Sequence, residues 1–107
     1  MYEEKWKVQA SGQLLEVVDP KNNVQRMQLS AIKGIAIQTN DSGPIGMDVI
    51  WFISDGNSTI SFPMGATGED TILQVFQKIE EFDNEEFINA MGSTEKNVFI
   101  LLNKTKA

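Results

Sequence analysis

Thr59-Ile60-Ser61-Phe62-Pro63 leads through Met64-Gly65-Ala66-Thr67-Gly68 into Glu69-Asp70-Thr71-Ile72-Leu73-Gln74-Val75-Phe76, and within this stretch the apolar spacing changes. Ile60 and Phe62 alternate with Thr59 and Ser61, the period of a half-buried strand, and Pro63 cannot donate to a ladder and ends it. From Ile72 the apolar residues are Leu73, Val75, Phe76, Ile79 and Phe82, the three-and-four spacing of an amphipathic helix. Thr67 followed three residues later by Asp70 is an acidic variant of a helix capping box. Strand gives way to helix here, which makes the chain α+β.

Reading back from that junction, strand signals repeat. Met47, Val49, Trp51 and Ile53 make one face of a strand whose other face, Ile50 and Phe52, is apolar too, so this strand is expected to be the most buried. Asp55-Gly56 turns it into Thr59–Phe62. Earlier strands are predicted around Trp6–Ala10, Leu14–Val18, Val24–Leu29 and Ile32–Thr39. Asp19-Pro20-Lys21-Asn22-Asn23 has Asp and Pro in the first places of a type I turn, with asparagines that tolerate left-handed φ. Reading forward, Asp83 with Glu86 caps a short second helix carrying Phe87, Ile88 and Met91, and Gly92 suits its end. Val98-Phe99-Ile100-Leu101-Leu102 reads as a final strand. The expected architecture is a six-stranded meander closed by a helix, a short second helix and a returning strand, whose partner strand the pattern leaves open.

The 107 residues are enough for one domain with its own core, and their 41% apolar and 22% charged content is ordinary for a globular chain. Cysteine and histidine are both absent, which removes disulfide scaffolds, thiol nucleophiles, histidine-based triads and ordinary zinc or haem ligation. Met1 to Lys7 lack the apolar core of a secretory signal, and no apolar run approaches the roughly 18 residues of a membrane span. Cytoplasmic residence is the expectation.

The net charge is −6, unevenly spread. Between Ala66 and Glu95 eight acids face one base, Lys78, so this segment carries −7 and the remainder +1. Such a pole repels nucleic acid and anionic lipid and attracts a basic protein.

A resemblance covers about two-thirds of the chain. Gly43-Pro44, Asp48 entering the apolar strand, Phe62-Pro63 before the helix, Phe82-Asp83-Asn84-Glu85, Ala90-Met91-Gly92-Ser93-Thr94-Glu95 and Phe99 resemble a group of small uncharacterised bacterial proteins. The overall order also resembles the pleckstrin-homology (PH-like) superfold. The resemblance implies a bent antiparallel sheet or partial barrel of six to seven strands, capped by the C-terminal helix, and no mechanism. The final strand departs from that superfold, which ends on its helix. Phosphoinositide binding does not follow, because such sites place several Lys and Arg in the first hairpin and Ala10-Ser11-Gly12-Gln13 has none.

Among chemical candidates, Pro63–Gly68 lacks the lysine of a phosphate loop. Asp41 and Asp48 flank a Gly- and Pro-containing loop, with Asp55 on the next hairpin; such carboxylates suit acid-base work or a hard cation, and suit turns equally. Ser42, Ser58 and Ser93 have no histidine to activate them. No catalytic, cofactor-binding or metal-binding residue is assigned.

The strongest functional candidate is Glu80, Glu81, Phe82, Asp83, Glu85 and Glu86, where carboxylates could steer a basic protein and Phe82 anchor it. Ile50 and Phe52 would mark an interface if the helix leaves their face uncovered. The expected role is non-catalytic protein binding, to a basic protein or to a second copy through an edge strand. The alternatives are an immunity-type inhibitor of a basic toxin, and a small-molecule or metal-dependent enzyme using Asp41 and Asp48.

Overall fold

Two separate antiparallel sheets, and not one continuous meander, make up the β part of the computed structural model, which describes residues 5–39, 49–93 and 96–104. The first sheet is β1 (Lys7–Ser11), β2 (Leu14–Val18) and β3 (Val24–Gln28) in sequential order. The second holds β4 (Gly34–Thr39), β5 (Val49–Ser54), β6 (Thr59–Pro63) and β7 (Asn97–Asn103), in the order β6-β5-β4-β7. Helices α1 (Glu69–Gln77) and α2 (Asn84–Met91) lie between β6 and β7 in the chain. The α+β class and the seven strands stand. The single bent sheet does not, and both sheets stay open.

The break falls between β3 and β4. A single 3-10 turn, Leu29–Ala31, follows β3, with the Leu29 amide donating to the Gln13 carbonyl (2.7 Å) and the Ile32 amide to that of Leu29 (3.2 Å). Ile32 then sinks into the core. β4 pairs with β5 and β7, and not with β3.

Local chemistry explains the turns. Asp19 Oδ1 accepts from the amides of Lys21 (2.8 Å) and Asn23 (2.9 Å), and Asn22 adopts φ 69°, as an Asx-rich turn allows. In the β5–β6 hairpin, Asp55 Oδ1 accepts from the amides of Asn57 and Ser58, both at 2.8 Å. The second helix starts as its sequence predicts, with Asp83 Oδ1 accepting from the Glu86 amide at 3.0 Å. Gly92 ends it at φ −91°, without the left-handed conformation a glycine offers there.

The first helix starts differently from the expectation. Its cap is Gly68, not Thr67, and no side chain bonds there. Thr67 instead forms a parallel bridge to Lys7: its amide donates to the Trp6 carbonyl and its carbonyl accepts from the Val8 amide, both at 2.8 Å. Gly68 sits at φ 93°, and a Cβ there would lie 2.1 Å from the Val8 carbonyl oxygen. The close approach of β1 to the start of α1 therefore requires glycine.

Both sheets and both helices feed one core. Leu15, Val17 and Met27 enter from the first sheet, Ile35, Ile37, Ile53, Phe62, Leu101 and Leu102 from the second, and Ile72, Phe76 and Ala90 from the helices. Trp51, 1% exposed, is at its centre. Its indole stacks on Phe62 (centroids 6.0 Å) and Phe87 (5.9 Å) and is tilted against Phe76 (5.7 Å). Burying one large apolar side chain contributes about 1.5–3 kcal/mol, so this aromatic group is a main source of stability.

β7 pairs antiparallel with β4, with a register shift between Ile35 and Ala36. Ile35 faces Leu102 and Ala36 faces Ile100, which leaves Leu101 as the extra residue of a bulge. The bulge explains how consecutive residues Leu101 and Leu102 are both buried.

Candidate functional site

The acidic junction comes first. Glu80, Glu81, Asp83 and Glu85 are exposed, and Glu86 is half-buried. Asp83 is committed to capping α2, and Glu86 Oε1 accepts from Asn89 Nδ2 (2.8 Å). Glu81 lies 3.9 Å from Lys104 Nζ, a solvent-exposed pair of little energetic weight. Phe82 is 6% exposed and stacks on Phe76 with centroids 6.4 Å apart, so it belongs to the core and cannot anchor a partner in this conformation. Of the six candidate residues, what the junction presents to solvent is its carboxylates.

Of the apolar residues on the second helix, only some face inward. Phe87 and Ala90 pack against the core, whereas Ile88 is 67% exposed and Met91 is exposed as well. Capping by Asp83 and the contact of Phe87 with Trp51 fix this rotation.

Asp41, Ser42, Gly43-Pro44 and Asp48 lie outside the described residues, as do Thr94 and Glu95. Asp55 is occupied in its hairpin, where hydrogen bonds from the Ser58 and Asn57 amides hold its carboxyl below the usual range. Ser58 belongs to the same hairpin, and Ser93 Oγ lies 3.4 Å from Thr39 Oγ1. Among the described residues, no three acidic side chains gather as a metal-ligand set, and no helix is long and apolar enough to cross a membrane.

One half-buried carboxylate bonds into the core. Glu69, in the first turn of α1, accepts from Trp51 Nε1 at 2.7 Å and, through its other oxygen, from the Gly65 amide at 3.1 Å. Burial raises its carboxyl above the ordinary glutamate value despite both bonds. It satisfies the indole N–H and ties the β6–α1 connection to the core, a structural office.

The two sheets differ sharply in surface chemistry. In the first, each strand carries one charge: Lys7, Glu16 and Arg26. Gln9, Glu16 and Arg26 are neighbours in register, and Glu16 accepts from Gln9 Nε2 (2.7 Å) and Arg26 Nε (2.8 Å), the latter bond holding its carboxyl below the usual range. The four strands of the second sheet contain no Asp, Glu, Lys or Arg at all.

Its outer face is laid out in three rows of four. They run Asn103–Gly34–Ser54–Thr59, Ile100–Ala36–Phe52–Ser61 and Val98–Gln38–Ile50–Pro63. Val98 and Ile100 are 54% and 50% exposed, and Ile50, Phe52 and Ala36 are half-buried. A shallow depression of about 250 Å³ lies over the first two rows, lined by Ala36, Phe52, Ser54 and Ile100 among others.

No protein-family model, curated protein or solved structure matches the chain.

Ile50 and Phe52 are where the sequence reading places them, on the face away from the core. Val98 and Ile100 were missed as surface residues, because a fully apolar run gives no period from which to tell its two sides. The missing charge across Gly34–Thr39, Val49–Pro63 and Asn97–Asn103, Asp55 in the hairpin turn excepted, was the available signal.

Proposed function

We propose that the chain is a non-catalytic, cytoplasmic protein-binding module of PH-like type, which holds its partner on the uncharged outer face of the second sheet and along the β7 edge. The carrying observation is the absence of any charge from all four strands in a protein of net charge −6. Solubility favours charge wherever water is met, and interface centres are depleted of it. The PH-like reading draws support from the order of six strands followed by a helix. Catalysis forms no part of this reading, nor do nucleic acid, membrane or phosphoinositide.

The acidic junction supports a second reading, an inhibitor that inserts Glu80, Glu81 and Glu85 into a basic site on another protein. Its exposed carboxylates favour steering. The two readings separate in one experiment. Immobilised wild type, Ser61→Lys, Ile100→Lys and a variant with Glu81, Asp83, Glu85 and Glu86 replaced by their amides are compared for partner capture at rising salt. The sheet reading expects loss on Ser61→Lys and Ile100→Lys, and salt-resistant capture by the amide variant. Capture that is abolished by the amides and by salt, yet untouched by the lysines, overturns it in favour of the acidic reading.

A further inference from the structure

Among the described residues, the Asn97–Ile100 part of β7 is the one stretch of sheet edge with no charge, proline or bridging segment to block pairing. Of the other edge strands, β1 is bridged at its start by Thr67, β3 carries Arg26 and β6 ends on Pro63. Among the described strands β7 is the longest, has a described neighbour on one side only, and holds neither charge nor proline. Long, uncharged, apolar edges template pairing with another strand.

The backbone shows which part of the edge is available. The Asn97 carbonyl accepts from Thr39 Oγ1 (3.4 Å) and so faces β4. Alternation turns the amides and carbonyls of Val98 and Ile100 to the open side. The Val98 amide, with no strand to meet, takes its neighbour's side chain, Asn97 Oδ1, at 2.8 Å. Beyond Ile100 the Leu101 carbonyl is taken by the Asp83 amide (2.7 Å). The open stretch is therefore Asn97–Ile100.

Resting on the sheet-surface reading above, we propose that its partner is a second copy of this chain, joined by antiparallel pairing of β7 with β7 about a two-fold axis through Phe99. A two-fold pairing brings each residue opposite a fixed counterpart, so a charge near the axis meets its own kind. Asn97–Asn103 has none. Val98-Phe99-Ile100 runs branched, aromatic, branched in both directions, and the pairing sets Val98 of one copy against Ile100 of the other on the outer face. The two exposed side chains thereby cover each other.

Charge complementarity also selects this partner. With Phe99 on the axis the ladder spans Val98–Ile100, and the second copy's Lys96 leaves the edge where the Asp83 amide covers Leu101, with no lysine facing a lysine. Leu102 follows Leu101, whose carbonyl is bonded to Asp83, so this end of β7 adjoins the acidic junction of Glu81, Asp83 and Glu85. Each copy thus brings an exposed cation to the other's carboxylates. Lys104 at the same end is already beside Glu81 of its own chain.

Sedimentation equilibrium on the full chain, with carbodiimide crosslinking of mixed ¹⁴N- and ¹⁵N-labelled protein, tests this. The expected results are a dimer, isotope-mixed crosslinks from Lys96 to the 81–86 acids, and a dissociation constant raised about tenfold or more by Ile100→Lys. Ile100 is half exposed, so its replacement leaves the fold intact, and the thermal transition verifies this. A wild type that is monomeric at hundreds of micromolar overturns the proposal while leaving the sheet face open to a different protein. A dimer indifferent to Ile100→Lys, or without the Lys96 crosslinks, overturns the β7 interface.

Discussion

Trp51 and Glu69 are joined by a hydrogen bond at the aromatic core: the indole N–H reaches the carboxylate at 2.7 Å from a ring that is itself almost wholly buried. The same carboxylate receives the Gly65 amide, so a single side chain joins β5, the β6–α1 connection and the first turn of α1.

Glu69 gives the fold a pH dependence of unusual sign for an acid. Its folded value is raised above 4.5. Its contribution is therefore fully present below that pH and is lost as pH rises through the folded value. Glu69→Gln stays neutral throughout. Urea midpoints are expected to favour the variant over wild type more at pH 8 than at pH 4, and a constant difference would sink the assignment.

Asp55 behaves in the opposite way. Its folded value is lowered below 3.8 by the Ser58 and Asn57 amides, so its stabilisation is present above that value and lost as pH falls through the folded one. Asp55→Ala is expected to melt earlier than wild type at pH 7, and the gap to close in strong acid. Thermal scans across pH 2–7 follow the two curves.

Gly68 and Gly12 both have positive φ, at 93° and 62°, but differ in surroundings. A Cβ on Gly12 meets nothing within 4 Å, so Gly12→Ala carries backbone strain alone, about 1–2 kcal/mol. Gly68→Ala adds a collision with the Val8 carbonyl and is expected to cost about 3 kcal/mol or more. Equal losses in chemical denaturation would show that β1 can give way.

Phe82 and its acidic neighbours separate by energy. Phe82→Ala is expected to cost about 3–5 kcal/mol, as for a buried aromatic. Replacing exposed Glu80, Glu81 and Glu85 by Gln should change stability by about 0.5 kcal/mol or less each. Urea titration of the four variants checks both arms.

Much of this was legible in local patterns. The Asp19 and Asp55 turns and the Asp83–Glu86 cap each depend on residues within a few positions, and each is present. The apolar run at Val49–Ile53 does form a strand, but not the most buried one: its outer face is only half-covered, and β4 buries three residues to its two. Features decided by distant partners were not legible. Thr67 reads as a helix cap, but its backbone is claimed by Trp6 and Val8, some sixty residues earlier. Phe82 carries two readings in the sequence, the last apolar residue of the helical spacing and the anchor of an acidic patch, and its burial against Phe76 bears out the first. The sheet break at Leu29–Ala31 rests on β4 pairing with β5 and the distant β7 rather than with β3, which spacing along the chain does not encode.

The pairing of β4 with β7 joins Thr39 to Asn97 across 58 positions. On the ribosome β4 is therefore made long before the strand that covers its far side. At about 5–20 residues per second, that bare, chargeless edge waits roughly three to twelve seconds for its cover. During this interval the nascent chain depends on chaperones or on simple dilution, and a chain halted before Asn97 is expected to precipitate under conditions in which the full-length protein stays in solution.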